Sequence, residues 1–248
     1  MDEEQIVRAA SLLRQARHAV ALTGAGFSRP SGIPDFRSDH GLWSACDPQE
    51  VASLSGFRRH PRRFYDWFAP LLDPVLQARP NAAHFALAEL EQRGVLHAVI
   101  TQNIDGLHQR AGSREVFELH GHMRTATCLE CEHQMPTAGL FKLVRRGNVP
   151  RCACGGLLKP DVVLFEEDLP RGIFWLARRA VEQCDVMIVA GTSLEVYPVN
   201  DLPHEALRRG ARLIVINLSP THIDAEADVV IHDDVAQALP AIVARMVG

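Results

Sequence analysis

The sequence predicts an α/β fold: a mostly parallel sheet with helices on both faces, interrupted by one small cysteine-bearing module. Three observations carry this. Short apolar runs alternate with stretches of helical periodicity along most of the chain, the pattern of βαβ units. Four of the apolar runs end in polar or glycine-rich residues, "TGAGFS", "TQNIDGLH", "AGTSLE" and "INLSP", and parallel sheets bind ligands at the carboxyl ends of their strands. From about 122 to 160 the alternation stops, and four of the six cysteines lie there.

In chain order, "DEEQIVRAASLLRQAR" places Ile6, Val7, Ala10, Leu13 and Ala16 at helical spacing with a polar far face. "HAVALTGAG" is a buried strand entering a tight turn. Residues 59–78 have helical character that Pro61, Pro70 and Pro74 are expected to break. "NAAHFALAELEQRG" predicts a helix with Asn81 as N-cap and Gly94 as its stop. "VLHAVITQN" is the next buried strand. "RGIFWLARRAVEQC" is a helix, "DVMIVAGTS" a buried strand, "LPHEALRRG" a helix, "RLIVINLS" a strand and "ADVVIHDD" a short strand. "VAQALPAIVARMV" is the last helix.

The chain has 248 residues, 47% hydrophobic and 23% charged. This suits one large domain carrying a small insert, with a core that stands without disulfides. A formal charge of −4 and a pI near 6.3 show no basic excess, which argues against nucleic acid as a direct ligand. No run of about 18 apolar residues offers a membrane span. "MDEEQIVRAA" lacks the basic and apolar regions of a signal peptide. A cytoplasmic protein is therefore expected, with cysteines serving as metal ligands or free thiols rather than disulfides.

Cys128 and Cys131 form C-x-x-C, and Cys152 and Cys154 form C-x-C about twenty residues later. Two close pairs joined by a loop suit a tetrahedral zinc ion with no open coordination position, hence a structural site. A redox C-x-x-C would not need the second pair. Cys184 ends an apolar helix and reads as a small core residue, and Cys46 reads as inert.

"LTGAGFSRPSGIPDFRS" begins at the end of the first strand. Gly24 and Gly26 permit a tight turn whose N–H groups can face phosphate. A third glycine of the dinucleotide fingerprint would fall at Arg29, so G-x-G-x-x-G is absent. Pro30 and Pro34 oppose a long helix. Asp35, Phe36 and Arg37 then follow in a loop of a length usually kept for function.

These segments, with "ELHG" (118–121), "KPDVVLFEE" (159–167) and "GTSLEVYP" (191–198), resemble the sirtuins, NAD-dependent protein-lysine deacylases. The likeness runs in order over roughly residues 20–235, and the chain looks like a bacterial or archaeal catalytic core with almost no extension at either end. It implies a single catalytic domain over 1–248. A Rossmann-like large part would span about 1–30, 80–121 and 160–248. A small part would hold a helical region with the cofactor loop, about 31–79, and a zinc module, about 122–159. NAD and an acyl-lysine protein or peptide would meet in the cleft between them. By motif, Gly24, Ala25, Gly26, Arg29, Asp35, Phe36 and Arg37 would contact NAD from the loop. Gln102, Asn103, Ile104 and Asp105 would line the ribose and nicotinamide pocket. Thr192, Ser193 and Asn217 would hold the phosphate and adenosine end, with Val235 near the adenine.

The resemblance assigns His120 as the base that activates a ribose hydroxyl, a task that suits an imidazole near neutrality. Asp105 would bond the nicotinamide carboxamide and Asn103 would order ribose or water. His108 reads as a local structural partner. For Asp105 and Asn217 a plain turn role is the alternative, and for Val163 core packing is. Val163, Phe165 and Val196 would wall the tunnel for the lysine stem and acyl group, with the peptide added as a strand along "KPDVVLF". Sirtuins that prefer succinyl or malonyl groups carry Tyr-x-x-Arg in the acyl pocket. Here Phe68 follows Tyr65 at that spacing, so neutral acyl groups, acetyl above all, are expected. Glu166 stands where many relatives have glycine and could favour basic residues beside the target lysine. Longer neutral acyl groups, mono-ADP-ribosyl transfer and a non-catalytic NAD-binding scaffold are the alternative functions. A monomer with no membrane partner is expected.

Overall fold

The structure, a computed structural model, describes residues 2–35 and 47–247. Its elements run α1 (Glu3–Gln15), β1 (Ala19–Thr23), a 3-10 helix (Ala25–Ser31), α2 (Pro48–Val51), α3 (Leu54–Arg59), α4 (Pro61–Gln77), α5 (Ala82–Gln92), β2 (Leu96–Thr101), α6 (Leu107–Ala111) and β3 (Val116–Glu118). They continue through β4 (Gly121–Cys128), β5 (Gln134–Pro136), α7 (Thr137–Arg145), β6 (Leu158–Val162), α8 (Arg171–Gln183), β7 (Val186–Ala190), α9 (Leu202–Arg208), β8 (Arg212–Ile216), β9 (Val229–Ile231) and α10 (Val235–Val247).

Six strands form one parallel sheet in the order β3-β2-β1-β7-β8-β9. Numbered by their succession within the sheet, this is 3-2-1-4-5-6, the order of dinucleotide-binding α/β folds. The chain leaves β1 in one direction and returns to its other side at β7. β1 and β7 thus flank the point where the strand order reverses, the place at which such sheets bind ligands. β1 and β7 are buried along all five residues, as a sheet covered on both faces requires. One face packs α1, α5 and α10 through Ile6, Leu13, Leu87, Leu90, Leu239 and Ile242. The other packs α8 and α9 through Ala177, Val181, Leu202 and Ala206. The α1 helix begins where Asp2 accepts the backbone N–H groups of Glu4 and Gln5, an N-cap that also satisfies the helix dipole.

The break in alternation after residue 121 is a second sheet, antiparallel, in the order β5-β4-β6. A third apolar cluster joins α3, α4 and α7 to this sheet through Phe57, Phe64, Phe68, Leu72, Phe141 and Val162. Here the expected break at residues 59–78 is corrected: α4 runs unbroken from Pro61 to Gln77. Pro61 occupies the first turn, where its missing N–H costs nothing. Pro70 and Pro74 lie inside, each a penalty of about 3 kcal/mol. Burial of Phe64, Tyr65, Phe68, Leu72 and Val75 on one stripe contributes roughly 1.5–3 kcal/mol per large side chain and outweighs it. The α5 helix has the expected cap: Asn81 accepts from Ala83 N at 2.9 Å, and Gly94 ends the segment at φ +73°. Cys184 is a buried core residue, as its sequence setting predicts. Cys46 lies outside the described residues. Among the described residues no helix is long and apolar enough to cross a membrane.

Candidate functional site

The parallel ladder does not stop at the strand ends. Gln102 N donates to Thr23 O (3.0 Å), Leu119 N to Thr101 O (2.9 Å), Gly191 N to Ile216 O (3.0 Å) and Asn217 N to Ile231 O (3.1 Å). Each strand-end loop is thus stitched to its neighbour, and the polar runs of the sequence form one rim.

At the centre of the rim two backbones touch. A Cβ on Gly26 would lie 2.9 Å from Gly191 O, and one on Gly24 would lie 2.7 Å from the Thr192 Cβ. Gly191 itself adopts φ +62°, and a side chain there would meet Phe27 N at 2.2 Å. Only glycine fits this crossing. The 3-10 helix Ala25–Ser31 follows, short as Pro30 within it and Pro34 beyond it predict. Arg29 and Asp35 form an ion pair at 3.2 Å. Phe36 and Arg37, expected at the cofactor, lie outside the described residues.

The loop after β2 brings three expected residues together. Asn103 is buried, and its Nδ2 donates to Gly24 O (2.9 Å) and to Ser28 Oγ (3.1 Å). Ser28 Oγ donates to Asp105 Oδ2 (2.8 Å), and Leu107 N donates to Asp105 Oδ1 (2.8 Å). Burial pushes the Asp105 carboxyl above its usual range, while the Leu107 and Ser28 hydrogen bonds oppose this. Gln102 Nε2 donates to Thr192 Oγ1 (2.9 Å), joining the β2 and β7 ends. Ile104 packs against the third apolar cluster. Ser193 is exposed, Asn217 is partly buried, and Val235 is buried in the core of α10.

His120 follows β3. Its ring is hydrogen-bonded to the Gln102 backbone carbonyl, and burial pushes its imidazole down to about 4. A neutral imidazole that donates from one nitrogen keeps its lone pair on the other, so the ring is set up as a base. Gly121 beside it has φ +74°, and a Cβ would sit 2.1 Å from Asp161 O, where β4 and β6 touch. Val163 N donates to His120 O at 2.9 Å. Val163, Phe165 and Val196 are all partly buried.

Ser28 was not anticipated, nor was the buried chain behind it. Thr23 Oγ1 donates to Thr101 Oγ1 (2.9 Å) and meets His108 Nε2 (3.0 Å), and Thr101 Oγ1 accepts from Asn103 N (3.0 Å). His108 thus has the structural partnership expected of it. The available signal was the threonine that ends both "AVALT" and "LHAVIT", meaningful only once β1 and β2 are known to pair in register at Thr23 and Thr101.

The four cysteine sulfurs lie within 4.8 Å of one another. Cys128 and Cys154 are 3.5 Å apart, Cys131 and Cys152 3.7 Å, and Cys131 and Cys154 3.4 Å. A tetrahedron with Zn–S bonds of about 2.3 Å has edges near 3.8 Å, so the set fits one zinc ion with no open position. Backbone N–H groups of Cys131 and then Glu130 hold the Cys128 thiol down to about 7, favouring the thiolate that binds metal.

Residues 24–198 match the Sir2 family. The chain belongs to the Sir2 family. It is 47% identical to an NAD-dependent protein deacylase of Archaeoglobus fulgidus over 97% of this chain and 96% of that protein. A solved structure described as a basis for the mechanism and regulation of Sir2 enzymes superposes with a TM-score of 0.94 at 46% identity, covering 98% of both chains. Another, a histidine-to-alanine Sir2 variant with deacetylated p53 peptide and 3′-O-acetyl-ADP-ribose, gives a TM-score of 0.92 at 40% identity over 98% of this chain and 97% of that one. The family match holds the second sheet and the rim residues from Gly24 to Ser193.

Proposed function

We propose that this Sir2 chain is an NAD-dependent protein-lysine deacetylase, passing the acetyl group of acetyl-lysine to ADP-ribose with release of nicotinamide. One observation carries the reading. A half-buried His120, its imidazole pushed down to about 4 by desolvation and tied to the Gln102 carbonyl, shares the strand-end rim with the Asn103–Ser28–Asp105 network. NAD supplies the electrophilic ribose carbon, with nicotinamide as leaving group.

The chain's residues divide the remaining work. The Gly24–Gly26 turn and Ala25, with Thr192 and Ser193, hold phosphate, and Arg29, Asp35, Phe36 and Arg37 contact NAD. Gln102 and Ile104 line the ribose pocket, while Asn217 and Val235 serve the adenosine end. Asp105 receives the carboxamide, and Asn103 orients the ribose. His120 takes up a proton from a ribose hydroxyl on its free ring nitrogen. Val163, Phe165 and Val196 wall the lysine channel. The large part is residues 1–30, 80–121 and 160–248 and the small part 31–79 and 122–159, with the substrates between them. The protein works in the cytoplasm as a monomer on acyl-lysine proteins.

The test is mass spectrometry of purified protein with NAD and acetyl-lysine peptide. O-acetyl-ADP-ribose is expected, lost in His120→Ala. ADP-ribosylated protein would favour transfer instead, and neither product would leave a scaffold.

A further inference from the structure

We propose that Glu166 is a positioning residue for the acyl-lysine peptide, fastening the segment along which the peptide lies to the first turn of α3. This rests on the deacetylase reading of the cleft.

Glu166 is exposed and has φ +73°. It is the third residue of a turn closed by Glu167 N donating to Leu164 O at 3.1 Å. A positive φ at that place calls for glycine, and a side chain there is strained. The far end of the side chain shows what offsets the strain. Glu166 Oε2 accepts from Ser55 N at 2.9 Å, and Oε1 accepts from Ser55 Oγ at 2.9 Å.

Ser55 lies in the first turn of α3, where backbone N–H groups have no partner within the helix. Ser53 Oγ accepts from Gly56 N at 3.1 Å. The helix is therefore capped twice, once by its own chain and once by a carboxylate delivered from the peptide segment, the charge favoured at that end. The backbones are joined as well. Leu54 N donates to Phe165 O (3.0 Å), and Phe165 N donates to Ala52 O (2.9 Å).

The α3 helix is itself fixed, since Phe57 is fully buried against Phe64 and Tyr65. At the other end of the segment Val163 N is held by His120 O. The stretch from Val163 to Glu166 is thus anchored at the base and at α3, and a peptide meets an edge that is already ordered. With both oxygens turned to Ser55, this use replaces the preference for basic flanking residues expected from the sequence.

Glu166→Gly is the informative variant. Glycine takes positive φ without strain, so the turn persists and only the carboxylate is lost. Peptide KM should rise about fivefold, the scale of one helix cap, with kcat and the KM for NAD unchanged. Ser55→Ala should act in the same direction, and the double variant should be no worse than Glu166→Gly. Glu166→Gln, which keeps one acceptor oxygen, should fall between. An unchanged peptide KM in Glu166→Gly, or additive effects of the two substitutions, would overturn the proposal. Failure of the unsubstituted protein to deacetylate the peptide would instead remove the reading on which it rests.

Discussion

Ser28 Oγ donates to Asp105 Oδ2 at 2.8 Å and accepts from Asn103 Nδ2 at 3.1 Å, so one hydroxyl fixes both side chains proposed to face nicotinamide and ribose. Removing it leaves Asn103 short of an acceptor and Asp105 short of a donor in a buried setting. The hydrogen bond to a carboxylate is worth roughly 1.5–3 kcal/mol. Ser28→Ala should therefore lower kcat/KM for NAD by about ten- to a hundredfold. Steady-state kinetics with NAD varied at saturating peptide will check this, and a loss below twofold would contradict it.

His120 is held down to about 4 by burial. A base must be unprotonated, and the neutral fraction falls only as pH drops through that value. The acid limb of kcat/KM should then lie below about pH 5 rather than near the 6.5 of a free histidine. Peptide deacetylation followed from pH 5 to 8 tests it; a limb near 6.5 would show that the ring is not desolvated in the working enzyme.

The same burial makes the fold sensitive to acid. His84 is also pushed down to about 4, and His108 well below the ordinary value, both chiefly by burial. Their rings pack on each other at 4.8 Å and against Phe27. In the unfolded chain they titrate near 6.5, so between the two values the unfolded state binds more protons. The stability they allow is complete above about pH 6.5 and is lost as pH falls towards 4. His84 alone should cost roughly 2–3 kcal/mol at pH 4.5, and His108 adds to the loss in the same direction. Urea unfolding at pH 7 and pH 4.5 should show this loss, and it should shrink in His84→Asn.

The elements legible in the sequence were those whose signal is local. α1 and α5 carry a 3.6-residue stripe and a cap, β1, β7 and β8 carry an apolar run, and β2 carries one interrupted only by His97. β3 escaped notice because its three residues are only half-buried at the sheet edge, and its pairing with β2 supplies what its side chains do not. β4, β5 and α7 take their order from packing around the cysteines and Phe141. α4 was misjudged because proline penalties are local while the aromatic packing that outweighs them is not. In the site, His120, Asn103 and the cysteines were visible as motif positions. Ser28 and the Gly26–Gly191 crossing were not, because Ser28 matters only once β1 lies beside β2, and the crossing only once β1 lies beside β7.

Acyl choice should follow Phe68. It is buried between Phe64, stacked at 5.1 Å, and Phe141 at 6.1 Å. The hydroxyl of Tyr65 is already donated to Leu158 O, and burial pushes its phenol well up. A succinyl carboxylate would enter with neither an arginine nor a free tyrosine hydroxyl from this pair. Leaving one buried charge unpaired costs about 3–5 kcal/mol. Desuccinylation should be at least about a hundredfold slower than deacetylation on the same peptide, measured by product mass. Matching rates would mean that the acyl group sits elsewhere.

The cysteine cluster should act on turnover through geometry alone. β4 leads from Gly121, next to His120, to Cys128, and β6 leads from Leu158, next to the cluster, to Val162 and the peptide segment. A metal that fixes Cys128, Cys131, Cys152 and Cys154 thereby fixes the two strands that frame the base. Binding to such a site is folding energy. The purified protein should hold one zinc per chain by elemental mass spectrometry. Cys152→Ala should lose it, lower the unfolding temperature and abolish deacetylation. Full activity retained after complete zinc removal would show that β4 and β6 keep their register without the ion.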